Sequence, residues 1–61
     1  MNVKAVEKAM QKQGLNLHSL AVKAGVEYSV VFKLVRYGRE PKLKTFKAIC
    51  IALDLDPAKV W

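Results

Sequence analysis

Five helix-breaking residues constrain this chain more than any other feature. Gly14, Gly25, the loop marked by Gly38 and Pro41, and Pro57 cut its 61 residues into five short pieces, with no Gly/Ser linker, internal repeat or low-complexity stretch between them. Pieces this short cannot each enclose a core, so they must share one. A hydrophobic content of 52 % suffices for one small core and not two. We therefore expect a single domain over residues 1–61. Cys50 has no second cysteine to pair with, and it cannot complete a structural zinc site with His18 alone. The fold must then be held by packing.

The apolar residues inside each piece recur at helical spacing. Val3, Val6, Ala9, Met10 and Gln13 mark a first helix at about 2 to 13, with Lys4, Lys8 and Lys12 on another face. Gly14 suits the left-handed stop, Leu15 folds back on the last turn, and Asn16 is an N-cap for a second helix at about 17 to 24. That helix carries Leu17, Leu20, Ala21 and Ala24, ends at Gly25, and is followed by Val26, which should enter the core. Residues 28 to 36 are ambiguous. The β-branched Val30, Val31 and Val35 favour a strand locally, but the helical neighbours and the short window favour a third helix. A loop from Arg36 to Lys42 follows. Leu43, Phe46, Ile49, Cys50 and Leu53 give a fourth helix, about 43 to 54, an inward face. Asp56 and Pro57 then start a short fifth helix that carries Val60 and Trp61. No hairpin signal appears, so the expected fold is all-α with five helices.

Charge and length narrow the function. Eleven Lys and Arg against five Asp and Glu give a net charge of +6 and a pI near 9.8, which favours an anionic partner. A catalytic cleft would compete with the core for the same few side chains. Glu7, Glu27 and Glu40 are isolated, and no phosphate-cradling glycine loop, metal cluster or oriented Cys and His pair is present. An enzyme is not expected, nor is a cofactor, a metal or a small-molecule ligand. No apolar run reaches the roughly 18 residues needed to cross a bilayer, and no signal-peptide layout opens the chain, so a cytoplasmic location is expected. Every apolar stripe is needed for the core, which argues against a role at a membrane surface.

The second and third helices, joined through Ala24, Gly25, Val26 and Glu27, have the spacing of a helix-turn-helix over about 17–36. The order of Leu20, Ala21, Ala24, Gly25, Val26, Val31 and Leu34 resembles the Cro and repressor family of phage and bacterial regulators. So does that of Arg39, Pro41, Leu43, Ala52, Leu53 and Leu55. Ala21 with Gly25 is the most specific pair, because helix packing needs a small residue at the first and a positive φ at the second. The resemblance runs from Val6 to Trp61 and implies a five-helix, lambda-repressor-like DNA-binding domain.

It also implies roles for residues. The helix from Tyr28 would lie in the major groove, with Tyr28, Ser29, Phe32 and Lys33 at the base edges. Lys33 can donate to guanine, Ser29 can donate or accept, and Phe32 can pack on a thymine methyl or, alternatively, turn into the core. Residues 33 to 47 hold Lys33, Arg36, Arg39, Lys42, Lys44 and Lys47 against Glu40 alone. Five of the six net positive charges thus fall where the family grips phosphates. Asn16, His18, Arg36, Arg39, Lys42 and Lys44 are the expected phosphate contacts. Cys50 is expected as a small buried core residue. Trp61 either folds on the core or meets a second copy, since relatives bind pseudo-palindromic sites as dimers; a weak homodimer forming on double-stranded DNA, in the nucleoid, is the expected assembly.

Four positions depart from the family pattern. Leu17 stands where a phosphate-binding Gln is common, leaving that anchor to His18 or the helix amides. Met10 and Val35 replace a buried Arg and Glu pair, a joint loss that strands no charge. Glu27 takes a cap position that relatives give to Ser or Thr, and Gly38 comes about one place late. The apolar third helix leaves a second reading open, that of an antirepressor or other protein-binding module on the same fold.

Overall fold

In the computed structural model, which describes residues 2–60, the chain forms α1 (Val3–Lys12), α2 (Leu17–Ala24), α3 (Tyr28–Tyr37), α4 (Leu43–Ala52) and α5 (Pro57–Val60). Each helix contributes to one apolar cluster. Val6 and Met10 come from α1, Leu20 and Ala21 from α2, Val31 and Leu34 from α3, Phe46, Ile49, Cys50 and Ala52 from α4, and Val60 from α5, with Leu53 just beyond α4. Among the described residues no buried side chain is charged, and each large apolar one contributes about 1.5–3 kcal/mol. The helix pair α2 and α3 packs together, α2 also packs on α4, and α1 lies against α3 and α5.

Local signals set the helix boundaries. The Asn2 side chain caps α1 by accepting from the Ala5 amide at 3.1 Å. Asn16 and Ser19 form a reciprocal capping box at α2: the Ser19 amide donates to Asn16 Oδ1 at 2.7 Å, and the Asn16 amide donates to Ser19 Oγ at 2.9 Å. Asp56 caps α5 by accepting from the Ala58 amide at 3.0 Å, with Pro57 in the first helical position.

Three helices stop in the same way. The Leu15 amide donates to the Met10 carbonyl at 2.8 Å, Val26 to Ala21 at 3.1 Å and Leu55 to Cys50 at 2.8 Å. Each bond spans a residue of positive φ, at Gly14, Gly25 and Asp54 respectively. Asp54 does this without being glycine, at φ 58, a conformation that Asp tolerates better than most L residues.

This stop corrects one boundary. The fourth helix was expected to reach residue 54 but ends at Ala52, because the Leu53 amide already bonds back to Ile49 and Cys50 and Asp54 turns the chain. Leu53 still fills the core, from the turn. Leu43, expected on the inward face of this helix, is exposed. The first helix is shorter by a residue at each end, since Asn2 and Gln13 are its caps. Gln13 is also not part of the apolar face. It is exposed, and its side-chain amide donates to the Leu53 carbonyl at 2.7 Å while its oxygen accepts from Lys23 Nζ at 3.3 Å. It thereby ties the end of α1 to the end of α4.

The strand alternative for residues 28 to 36 is excluded. Burial of Val31 and Leu34 outweighs the weak helix propensity of the valines, and Val30 and Val35 pack on the edge of the core. Met10 and Val35 line one groove between α1 and α3, so the two apolar replacements face the same place, as a joint exchange requires.

Asp54→Asn keeps the left-handed turn and removes a negative charge from the C-terminal end of α4, so it should stabilise the fold by about 0.5 kcal/mol, or roughly 2–4 °C in a thermal melt. Met10→Arg should destabilise by about 2–3 kcal/mol in chemical denaturation. Adding Val35→Glu to it should recover part of that loss, whereas strict additivity would show that the groove does not pair the two positions.

Candidate nucleic-acid interface

The turn between α2 and α3 aims the third helix. Gly25 at φ 70 ends α2, the Val26 side chain rests against the core, and α3 starts at Tyr28. With Val31 and Leu34 committed inward, Tyr28, Ser29, Lys33, Arg36 and Tyr37 are exposed. Phe32 is half-buried yet does not join the core cluster. Its ring lies between two others instead, 6.0 Å from Tyr28 at 36° and 5.7 Å edge-on from Tyr37. His18, from α2, meets Tyr28 edge-on at 6.1 Å. Four aromatic rings therefore run as one strip from the start of α2 along the outside of α3.

The sequence reading ends the third helix at Arg36 and leaves Tyr37 to the loop, whereas in the structure α3 includes Tyr37 and the helix-turn-helix spans 17–37. The late glycine explains the extension. Gly38 takes φ 66, and the Arg39 amide reaches back to the Lys33 carbonyl at 3.1 Å, a loop one residue longer than the stops at Gly14, Gly25 and Asp54. The extra helical residue is Tyr37, which brings its ring onto Phe32. Aromatic spacing of four and then five along 28, 32 and 37 was the available signal for this strip.

The structure divides the basic and polar candidates into groups. Lys33, Arg39 and Lys42 line one shallow depression with Val30, Pro41, Thr45 and a single carboxylate, Glu40. Lys33 and Arg39 also share a second depression with Tyr37. Asn16 and Arg36 line the groove between α1 and α3, and Asn16 and His18 share another with Ser19, Val22 and Lys23. Lys44 is exposed in the first turn of α4 and lines none of these. Because the side-chain oxygen of Asn16 is engaged in the capping box, only its NH₂ group is left to donate. Leu17 packs against the core edge and offers no donor. Trp61, the expected dimer contact, lies outside the described residues.

The helix ends next to these groups differ in their caps. Neither Glu27 at α3 nor Lys42 at α4 makes a side-chain capping bond, and neither helix has an acidic residue in its first turn. At α4 a Lys cap, with Lys44 following, places positive charge at the positive end of the helix dipole, where backbone amides are also unbonded within the helix. An anion is the group that such an end accommodates.

Cys50 has no comparable setting. It is buried in the core, and burial, with the Asp56 carboxylate, pushes its thiol above the ordinary cysteine range. Among the described residues no three His, Cys, Asp or Glu side chains gather into a metal site, and no helix is long and apolar enough to cross a membrane.

A family model described as Helix-turn-helix matches residues 6–60 of the chain. No curated protein and no solved structure is similar enough to count as a match. The family match begins at the buried Val6 of α1, includes the Gly25 turn and the exposed face of α3, and ends at Val60 of α5. The chain belongs to the Cro/repressor-type helix-turn-helix family of DNA-binding regulators.

Proposed function

We propose that this protein is a sequence-specific transcriptional regulator of the small phage type, which lays α3 in the major groove of an operator and occludes a promoter. The observation that carries this reading is the continuity of α3 with a positive surface. Lys33 stands on the exposed face of α3 and also in the depression lined by Arg39 and Lys42, next to the uncapped end of α4. Base edges would be met by Tyr28, Ser29, Phe32 and Lys33, and phosphates by Asn16, His18, Arg36, Arg39, Lys42 and Lys44. The molecule measures 23 × 22 × 19 Å, less than one helical turn of B-DNA at about 34 Å. One copy therefore suits one half-site, and two copies on inverted half-sites would form a weak dimer on the DNA.

The exposed aromatic strip also favours a second reading, in which the same face binds a protein as an antirepressor would. Salt separates the two. Binding through about six phosphates makes log affinity fall with log salt at a slope of roughly −5. An apolar protein interface would respond little.

The direct test is selection of bound duplexes from a randomised pool at about 150 mM salt. Enrichment of inverted half-sites centred about one helical turn apart is expected; salt-sensitive binding without enrichment would sink the regulator reading and turn attention to protein partners. On the selected site, Lys33→Ala should cost about 1–3 kcal/mol and relax preference at one position. Lys44→Ala should weaken matched and mismatched duplexes alike and reduce the salt slope by about 1. Equal losses for Lys33→Ala on both duplexes would remove it from base readout.

A further inference from the structure

The residue types on α3 restrict how it can tell one base pair from another. Its sequence, from Tyr28 to Tyr37, contains no Asn, Gln, Asp or Glu. The bidentate amide that reads adenine in the major groove is therefore missing, as is a carboxylate for cytosine within the helix. Lys33 can address guanine. Beyond a single hydroxyl hydrogen bond from Ser29 or Tyr28, what α3 can offer an A·T pair is contact with the 5-methyl group of thymine, the one apolar feature that the major groove displays.

The aromatic strip has the properties such contact needs. Phe32 is outside the core and seated between Tyr28 and Tyr37, with ring centroids 6.0 and 5.7 Å away. Its neighbours limit its freedom, so little side-chain entropy is lost when a methyl group packs on it. Tyr28 is 48 % exposed and Tyr37 70 %, which leaves apolar ring surface in water on both sides of Phe32. Charge favours a polyanion as the occupant of this face, since Lys33 and Arg39 line a depression with Tyr37 itself.

Resting on the major-groove reading above, we infer that the aromatic strip centred on Phe32 recognises thymine 5-methyl groups, and that A·T pairs in the half-site are specified through these methyls. The Tyr28 to Phe32 spacing of 6.0 Å is close to two base-pair steps of about 3.4 Å. Two thymines in one short run fall within the strip's reach.

The experiment uses the selected operator duplex, with each thymine replaced in turn by deoxyuridine, which lacks only the methyl group. At one or two positions per half-site this should weaken binding about fourfold per methyl, and a doubly substituted half-site should lose about fifteenfold. The variant Phe32→Ala, which sits outside the core and whose folding is checked by its thermal melt, should bind thymine and deoxyuridine duplexes equally. Phe32→Leu, which keeps an apolar side chain, should retain part of the difference; this keeps the test valid should the alanine variant fold poorly. If the operator is selected but every deoxyuridine duplex binds within about 1.5-fold of the parent, or if Phe32→Leu and Phe32→Ala leave the methyl effect intact, the inference is overturned while the regulator reading stands. If the pool yields no enriched sequence, both fall together, and a protein partner becomes the occupant of the strip.

Discussion

The commitment of Val31 and Leu34 to the shared core is the constraint on which the rest of the molecule depends. Both are fully buried, and their burial does two things at once. It holds a valine-rich segment in a helix that its local preferences resist, and it turns the opposite side of that helix outward. The exposed positions of α3 are not selected by any bond of their own. They are whatever remains after the inward stripe has been satisfied, which is why a chain of this size can present a recognition surface without reserving separate scaffold for it.

The fold was legible in the sequence wherever a backbone device had a dedicated residue. Asn16 and Asp56 announced the starts of α2 and α5, and Gly14 and Gly25 announced the ends of α1 and α2. It was illegible where an ordinary residue took a special role. Asp54 turns the chain at a position where no glycine gives warning, so the fourth helix read two residues too long. Gln13 falls at helical spacing with the apolar residues, but its partner is the Leu53 carbonyl, forty residues on, which no local pattern encodes.

The candidate site was legible as composition more than as arrangement. The concentration of Lys and Arg in and just after α3 is plain in the sequence, but which of them share a depression depends on how the loop returns. Lys33, Arg39 and Lys42 come together, while Arg36 faces the groove shared with Asn16. Phe32 illustrates the other limit. Helical spacing alone offered it the core or the outside; its two aromatic neighbours give it a third environment, sheltered from water without belonging to the core. Gly38, one residue late, contributes to that shelter, because it lets the helix continue far enough to include Tyr37.

The three matching helix stops also bear on how quickly such a chain finds its structure. Each closes a loop of six residues by a single backbone bond, and loops of that size close in tens of nanoseconds. Chain reversal at the ends of α1, α2 and α4 is thus encoded locally and needs no distant partner to begin. By contrast, the Asn2 amide meets the Val60 carbonyl at 2.7 Å, a bond that requires nearly the whole chain to be in place. A helical protein built in this way belongs with the microsecond-to-millisecond folders. The helix-turn-helix thus carries its own chain reversal, whereas the joining of α1 to α5 spans nearly the whole chain.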